Sequence, residues 1–186
     1  MVATFLRAEI NSPRFGQLIL HLLQKDNVDR KVIDTPNVHD KAENVYRDTL
    51  LGECRGYRRN EGIFKNFPDD VRWYRVLLDR FDLEKVKYIN YNYWTDLSGG
   101  SRLALDTANR VEAGMVEKET AEWFLSAVDA VKRGACFPEL ILVSNSREKD
   151  LVVLEGHLRL TAYLLASDCL PRELPAIVGY SKRMDK

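Results

Sequence analysis

The chain reads as an α+β protein, with a helical N-terminal region over residues 1–82 and a small mixed sheet with packed helices over 83–186. Three observations predict this class. Apolar residues at helical spacing dominate the first half. Runs rich in strand formers begin only after Leu83. Late in the chain, an apolar run at Leu151–Leu154 breaks at Glu155-Gly156 and restarts with helical spacing at Leu158, Ala162, Leu165 and Ala166. At 186 residues, 45% hydrophobic and 30% charged, the chain is long enough to bury a proper core in one domain, or in one domain plus an extension.

Taking the elements in order, Ser12-Pro13 predicts a helix start, and Phe15, Leu18, Ile19, Leu22 and Leu23 form its apolar stripe up to Lys25-Asp26-Asn27. Residues 26–44 are polar, contain Pro36 and read as a loop. Val45, Leu50 and Leu51 predict a short helix closed by Gly52. Residues 52–62 then hold Gly52, Gly56 and Gly62 with Arg55, Arg58 and Arg59. These make either a basic loop reaching toward a phosphate or a solvated connection with arginines paired to Glu53 and Glu61. Charge runs are ordinarily solvated faces, which favours the second. Pro68-Asp69-Asp70 predicts the start of a helix whose buried stripe is Val71, Trp73, Tyr74, Leu77, Leu78 and Phe81.

Residues 86–94, Val-Lys-Tyr-Ile-Asn-Tyr-Asn-Tyr-Trp, are rich in strand formers and predict a strand. Ser98, Gly99, Gly100, Ser101 and Arg102 follow; they suit an anion-binding nest and a tight loop equally well. Two amphipathic helices are expected over 103–116 and 120–133, the second burying Trp123, Phe124, Ala127, Val128 and Val131 and ending at Gly134. A strand at Phe137–Val143, a polar turn over 144–150 and a partner strand at Leu151–Leu154 lead to the Gly156 helix. A short strand, Ala176–Val178, closes the fold, and 181–186 should fray.

The turn at Gly156 concentrates the chemistry. A helix N-terminus leaves backbone N–H groups unpaired and carries partial positive charge, so cations in its first turn are unfavourable unless an anion offsets them. His157 and Arg159 stand in that first turn, which predicts a negative group nearby. In the competing account the turn serves topology alone, His157 is satisfied beneath it and Arg159 pairs with Glu155.

Composition narrows the function. Lys+Arg and Asp+Glu number 28 each, and a zero net charge argues against a dedicated nonspecific DNA binder while leaving room for a local basic pocket. Cys54, Cys136 and Cys169 are odd in number and widely spaced, as expected of reduced thiols in a cytoplasmic protein. No signal peptide and no membrane-spanning run are expected. His21, His39 and His157 share no metal-ligand spacing, and His21 is expected to be a structural residue of its apolar helix.

From Val86 to Gly179 the order of elements resembles the ParB/sulfiredoxin superfamily. There a strand pair runs into a helix that starts on a motif such as Gly-x-His-Arg; the corresponding residues are Glu155-Gly156-His157-Leu158-Arg159. Pro138–Val143 is similar to the strand before that motif, and Leu174–Val178 to the family's closing strand, where a proline precedes a short apolar run. The resemblance implies a nucleotide site of ATP or CTP type, with Mg2+. Gly156 would admit a phosphate, His157 and Arg159 would contact its oxygens, and Ser98 to Arg102 would close over it. Glu155 or His157 would take the catalytic role, and Asp96 and Asp106 are candidate metal carboxylates.

The departures are specific. His157 occupies the position of the sulfiredoxin cysteine, Leu158 replaces a second histidine, and no helix-turn-helix segment follows the motif helix in this sequence. The expectation is therefore a phosphate- or nucleotide-binding protein that hydrolyses or transfers a phosphoryl group. The alternatives are a ParB-like nuclease gripping DNA or RNA through Arg55, Arg58 and Arg59, and a non-catalytic regulatory or partner-binding protein. The expected partner is a small phosphorylated ligand or nucleotide; nucleic acid is not favoured, no membrane is involved, and a homo-oligomer is compatible with this reading.

Overall fold

Burial of Phe5, Leu6, Ile19, Ile33, Leu50, Leu51 and Phe64 organises the first of two units into which the chain divides, Met1–Asp69 and Asp70–Lys186. The computed structural model describes residues 1–186. The first unit is helical: α1 (Val2–Glu9), α2 (Gly16–Lys25), α3 (Lys31–Asp34) and α4 (Lys41–Arg55), followed by a 3-10 turn at Gly62–Phe64. Phe64 sets its aromatic core, with ring centres 5.7 Å from Phe5, 5.0 Å from Tyr57 and 5.1 Å from Phe67.

Arg47 is 1% exposed, and its guanidinium closes the turn between α3 and α4. It donates to the carbonyls of Val32 and Asn37 and to the side chains of Glu43 and Asn44. A buried charge is tolerated only when paired and hydrogen-bonded, and this one is both.

Several sequence expectations change here. The stretch 26–44 contains α3 and the start of α4, which is capped by the Asp40 carboxylate accepting from the Glu43 amide; α4 then runs through Gly52 and stops at Gly56. Helix α2 starts later than Ser12-Pro13 suggested, because the Ser12 hydroxyl accepts from the Phe15 amide in a preceding turn. His21 is exposed rather than structural, since α2 buries Ile19 and Leu23 on the other side.

The second unit comprises β1 (Arg72–Leu78), α5 (Arg80–Leu83), β2 (Lys87–Tyr88), α6 (Asn92–Leu97), α7 (Ala104–Glu112) and α8 (Lys118–Lys132). After these come β3 (Leu140–Ser144), β4 (Val152–Glu155), α9 (His157–Leu165) and β5 (Leu174–Tyr180). The strands form one mixed sheet in the order β1-β5-β3-β4-β2, with β1–β5 and β3–β4 antiparallel and β3–β5 and β2–β4 parallel. The architecture is α+β, preceded by a helical region. Ala104 and Ala108 of α7 and Leu160 and Leu164 of α9 cover the sheet through Leu140, Leu142, Val153, Ala176 and Val178. Behind α9 lies α8, joined through Ala127 and Val128 against Ala162 and Ala166.

The helix expected after Pro68 is strand β1, so a segment assigned to the helical N-terminal region joins the sheet. Apolar residues at 73, 74, 77 and 78 suit either period, and pairing decides: every residue of Arg72–Leu78 faces a partner in Tyr180–Leu174. Trp73 stands opposite Gly179, and only a glycine lets the indole close over β5. A Cβ there would lie 2.6 Å from Trp73 Cζ3 and 2.7 Å from Val71 Cγ1.

The strand expected to reach Trp94 ends at Tyr88. The Tyr88 amide donates to the Arg102 carbonyl and its own carbonyl accepts from the Arg102 guanidinium, so the ladder stops and α6 begins at Asn92. Trp123 is 67% exposed and lies outside the buried stripe of α8, which is Phe124, Ala127 and Val128. The tail is packed rather than frayed. Ser181 and Met184 are buried, the Ser181 amide donates to the Ser144 carbonyl and the Ser181 hydroxyl donates to Asp70 at 2.7 Å. No helix is long and apolar enough to cross a membrane.

Candidate functional site at the start of α9

Strand β4 delivers Glu155, the chain reverses at Gly156, and α9 begins at His157. Gly156 adopts φ 102°, a region that side-chain-bearing residues rarely enter, and no side chain caps the helix. The glycine also makes space. A Cβ at this position would lie 2.9 Å from Arg159 Nη2 and 2.6 Å from Leu140 Cδ2, so the guanidinium folds back against the turn only because glycine is there.

Arg159 uses that space to reach Glu155. Its Nη2 lies 2.7 Å from Glu155 Oε2, and the two side chains are only 11% and 13% exposed. The pairing of Arg159 with Glu155 is the one expected where the turn serves topology alone. Arg159 Nε is buried and has no hydrogen-bond partner, so the guanidinium retains donor capacity beyond its ion pair.

His157 belongs to an aromatic stack. Its imidazole lies 4.7 Å from the Trp94 ring and 5.9 Å from the Tyr88 ring, with planes 17° apart in both cases. Tyr88 and Trp94 are themselves 4.7 Å apart. Below them the Tyr88 and Thr161 hydroxyls share a short hydrogen bond, and Thr161 also donates to the His157 carbonyl. Burial pushes the Tyr88 phenol up to about 12. Sequence reasoning missed Tyr88, Trp94 and Thr161 as site residues. The signal was present only as aromatic density around Tyr91, which reads equally as a strand.

The loop after α6 does not present a nest. Ser98 Oγ donates to the carbonyls of Trp94 and Thr95 and accepts from the Arg102 amide, and Ser101 Oγ accepts from the Leu103 amide. The amides of Gly99 and Gly100 donate to Asp96 and Thr95. This is the tight-loop alternative, closed on its own backbone. Arg102 points its bonds at Tyr88 and lines a cavity beside the first residue of β4, away from the Gly156 turn at that strand's far end.

In the first unit, Arg58 pairs with Asp48 at 2.9 Å, Arg55 with Glu9 at 3.3 Å, and Arg59 with Glu53. No group of three or more His, Cys, Asp or Glu side chains gathers in a metal-holding arrangement. No family model, curated protein or solved structure matches this chain, so any kinship is argued from its residues alone.

Proposed function

We propose that the Asp70–Lys186 unit binds a small phosphate-bearing molecule, a nucleotide foremost, at the start of α9, as a distant relative of the ParB/sulfiredoxin-like proteins. The observation that supports this reading is the near-buried Glu155–Arg159 pair folded against a left-handed glycine at a helix start. A carboxylate and a phosphate present similar oxygen edges to a guanidinium, so the ligand's phosphate would exchange with Glu155 and gain the helix-start amides as further donors. The Trp94–His157 stack offers a flat apolar wall for a base.

In that exchange Glu155 is released next to the phosphate, where it would orient or deprotonate an attacking water. Hydrolysis then needs no further residue beyond His157 as proton donor. Because no carboxylate cluster stands here, Mg2+ would arrive on the nucleotide's own phosphates rather than in a protein cage. The ParB-like nuclease alternative draws less support, since Arg55, Arg58 and Arg59 are each engaged by a carboxylate.

The test is a thermal-shift and calorimetric series with ATP, CTP, GTP and pyrophosphate, each with and without Mg2+. A nucleotide that stabilises the chain, loses its effect in Arg159→Ala and binds more tightly in Glu155→Gln supports the exchange. No shift with any of them at millimolar concentration removes the reading.

A further inference from the structure

A cavity of about 210 Å³ opens where β3 ends and β4 begins, at the end of β4 remote from Gly156. Four segments meet there, and each contributes a cation: Lys87 from β2, Arg102 from the loop before α7, Lys149 from the β3–β4 turn and Lys186 from the tail. Two carboxylates, Asp150 and Asp185, share the lining. Lys87 is paired with Asp150 at 2.7 Å, whereas Arg102 and Lys149 make no ion pair.

Arg102 is held in place for this position. Its backbone sits at φ 64°, a strained setting for a residue with a side chain. The setting is secured by its amide donating to Ser98 Oγ at 2.8 Å and by Nε and Nη2 donating to the Tyr88 carbonyl at 2.9 and 2.7 Å. A guanidinium carries five N–H groups, and those two bonds leave the Nη1 side open. Its partner is a neutral carbonyl, so the charge is oriented without being neutralised. Burial accordingly holds the Arg102 pKa below the ordinary arginine value, against the pull of Asp185. Ser144, also in the lining, is 3% exposed, and its hydroxyl has no hydrogen-bond partner.

We propose that this cavity is a second anion site, distinct from the α9 turn, and that it takes a phosphate group either free or carried on a small organic body. Arg102 supplies fixed donors to the phosphate, Lys149 and Lys87 supply charge, and Ser144 supplies a hydroxyl. Asp150 and Asp185 lie at hand for hydroxyl groups of the ligand. The volume suits a phosphate with a few further atoms and is small for a whole nucleotide. The tail wall, anchored through Ser181 to Asp70, makes the site part of the folded unit.

The test is calorimetric titration of the full chain with two probes, inorganic phosphate and glycerol 3-phosphate. Lys149→Gln breaks no ion pair, so it keeps the fold, and it should weaken binding about tenfold, as loss of one charge-assisted contact does. In an Arg159→Ala background, which silences the α9 turn, the binding event should persist, and adding Arg102→Gln should reduce it to background, with both variants checked for folding by circular dichroism. Tighter binding of glycerol 3-phosphate would assign an organic phosphate, and equal binding would assign phosphate itself. The proposal is overturned if neither probe binds, if Lys149→Gln and Arg102→Gln both bind as the parent does, or if Arg159→Ala alone abolishes binding.

Discussion

The imidazole of His157 lies flat on the indole of Trp94, ring centres 4.7 Å and planes 17° apart, so α6 is fastened to the first residue of α9. Trp94 is half-buried and also packs on Tyr88 and Tyr93. Trp94→Ala should therefore destabilise the chain by roughly 2 kcal/mol, below the loss for a fully buried tryptophan. Urea denaturation followed by circular dichroism would measure this; a loss under about 0.5 kcal/mol would show that the stack contributes nothing beyond surface contact.

Gly156 is expected to be intolerant of any side chain. Gly156→Ala meets a backbone cost of about 1–2 kcal/mol from φ alone, and its methyl would press on Leu140 and Arg159. The variant should lose stability and phosphate-ligand affinity together. If stability falls while affinity is untouched, the turn is topological only.

The Glu155–Arg159 pair is suited to a double-mutant cycle. Each single change, Glu155→Leu or Arg159→Met, leaves one near-buried charge uncompensated and should destabilise by about 3 kcal/mol, the low end for a buried pair that keeps some solvent contact. The double variant should recover most of that loss, with a coupling of about 1–3 kcal/mol. Additive losses would mean that the two charges do not depend on each other.

Tyr88 gives an alkaline limit to stability. Its phenol is buried, so its pKa rises from 10.0 in the unfolded chain to about 12 in the folded one. A neutral group favoured by the fold stabilises it fully below the unfolded value, and the contribution is lost as pH climbs through the folded value. Tyr46, raised to about 12 by burial and then by its hydrogen bond to Asp26, and Cys54, raised to about 11 by burial, act in the same sense. Unfolding free energy should decline from about pH 9 upward, and Tyr88→Phe should blunt the upper part of that decline. An unchanged slope in Tyr88→Phe would place the phenol in contact with solvent.

The parts readable from the sequence are those in which one period and one punctuating residue agree. The strand–Gly156–helix turn, α7, α8 and the β3–β4 hairpin have apolar runs bounded by glycine or a polar turn, and local pattern coincides with burial except at Trp123 of α8, which the helical period alone places inside and the fold leaves exposed. Where pattern alone is ambiguous, tertiary partners decide. Arg72–Leu78 becomes a strand because β5 offers a complete antiparallel edge, and residues after Tyr88 turn helical because Arg102 occupies the Tyr88 carbonyl. Site residues follow the same division. Glu155, Gly156, His157 and Arg159 are contiguous and visible as a motif. The second cluster, Lys87, Arg102, Ser144 and Lys149, is scattered along the chain and shows no spacing that would announce it.

The strand order carries a consequence for biosynthesis. Strand β5 lies between β1 and β3, with Arg72 opposite Tyr180, so the strand made first has no sheet neighbour until the strand made last has left the ribosome. While α6 to α9 are being synthesised, Trp73, Tyr74 and Val76 must wait unpaired. Closing so long a loop is slow, and exposed strand-forming residues are sites of misassociation in the interval. Nascent chains halted before Leu174 should accordingly bind chaperones that recognise apolar extended segments, and release should coincide with the emergence of β5.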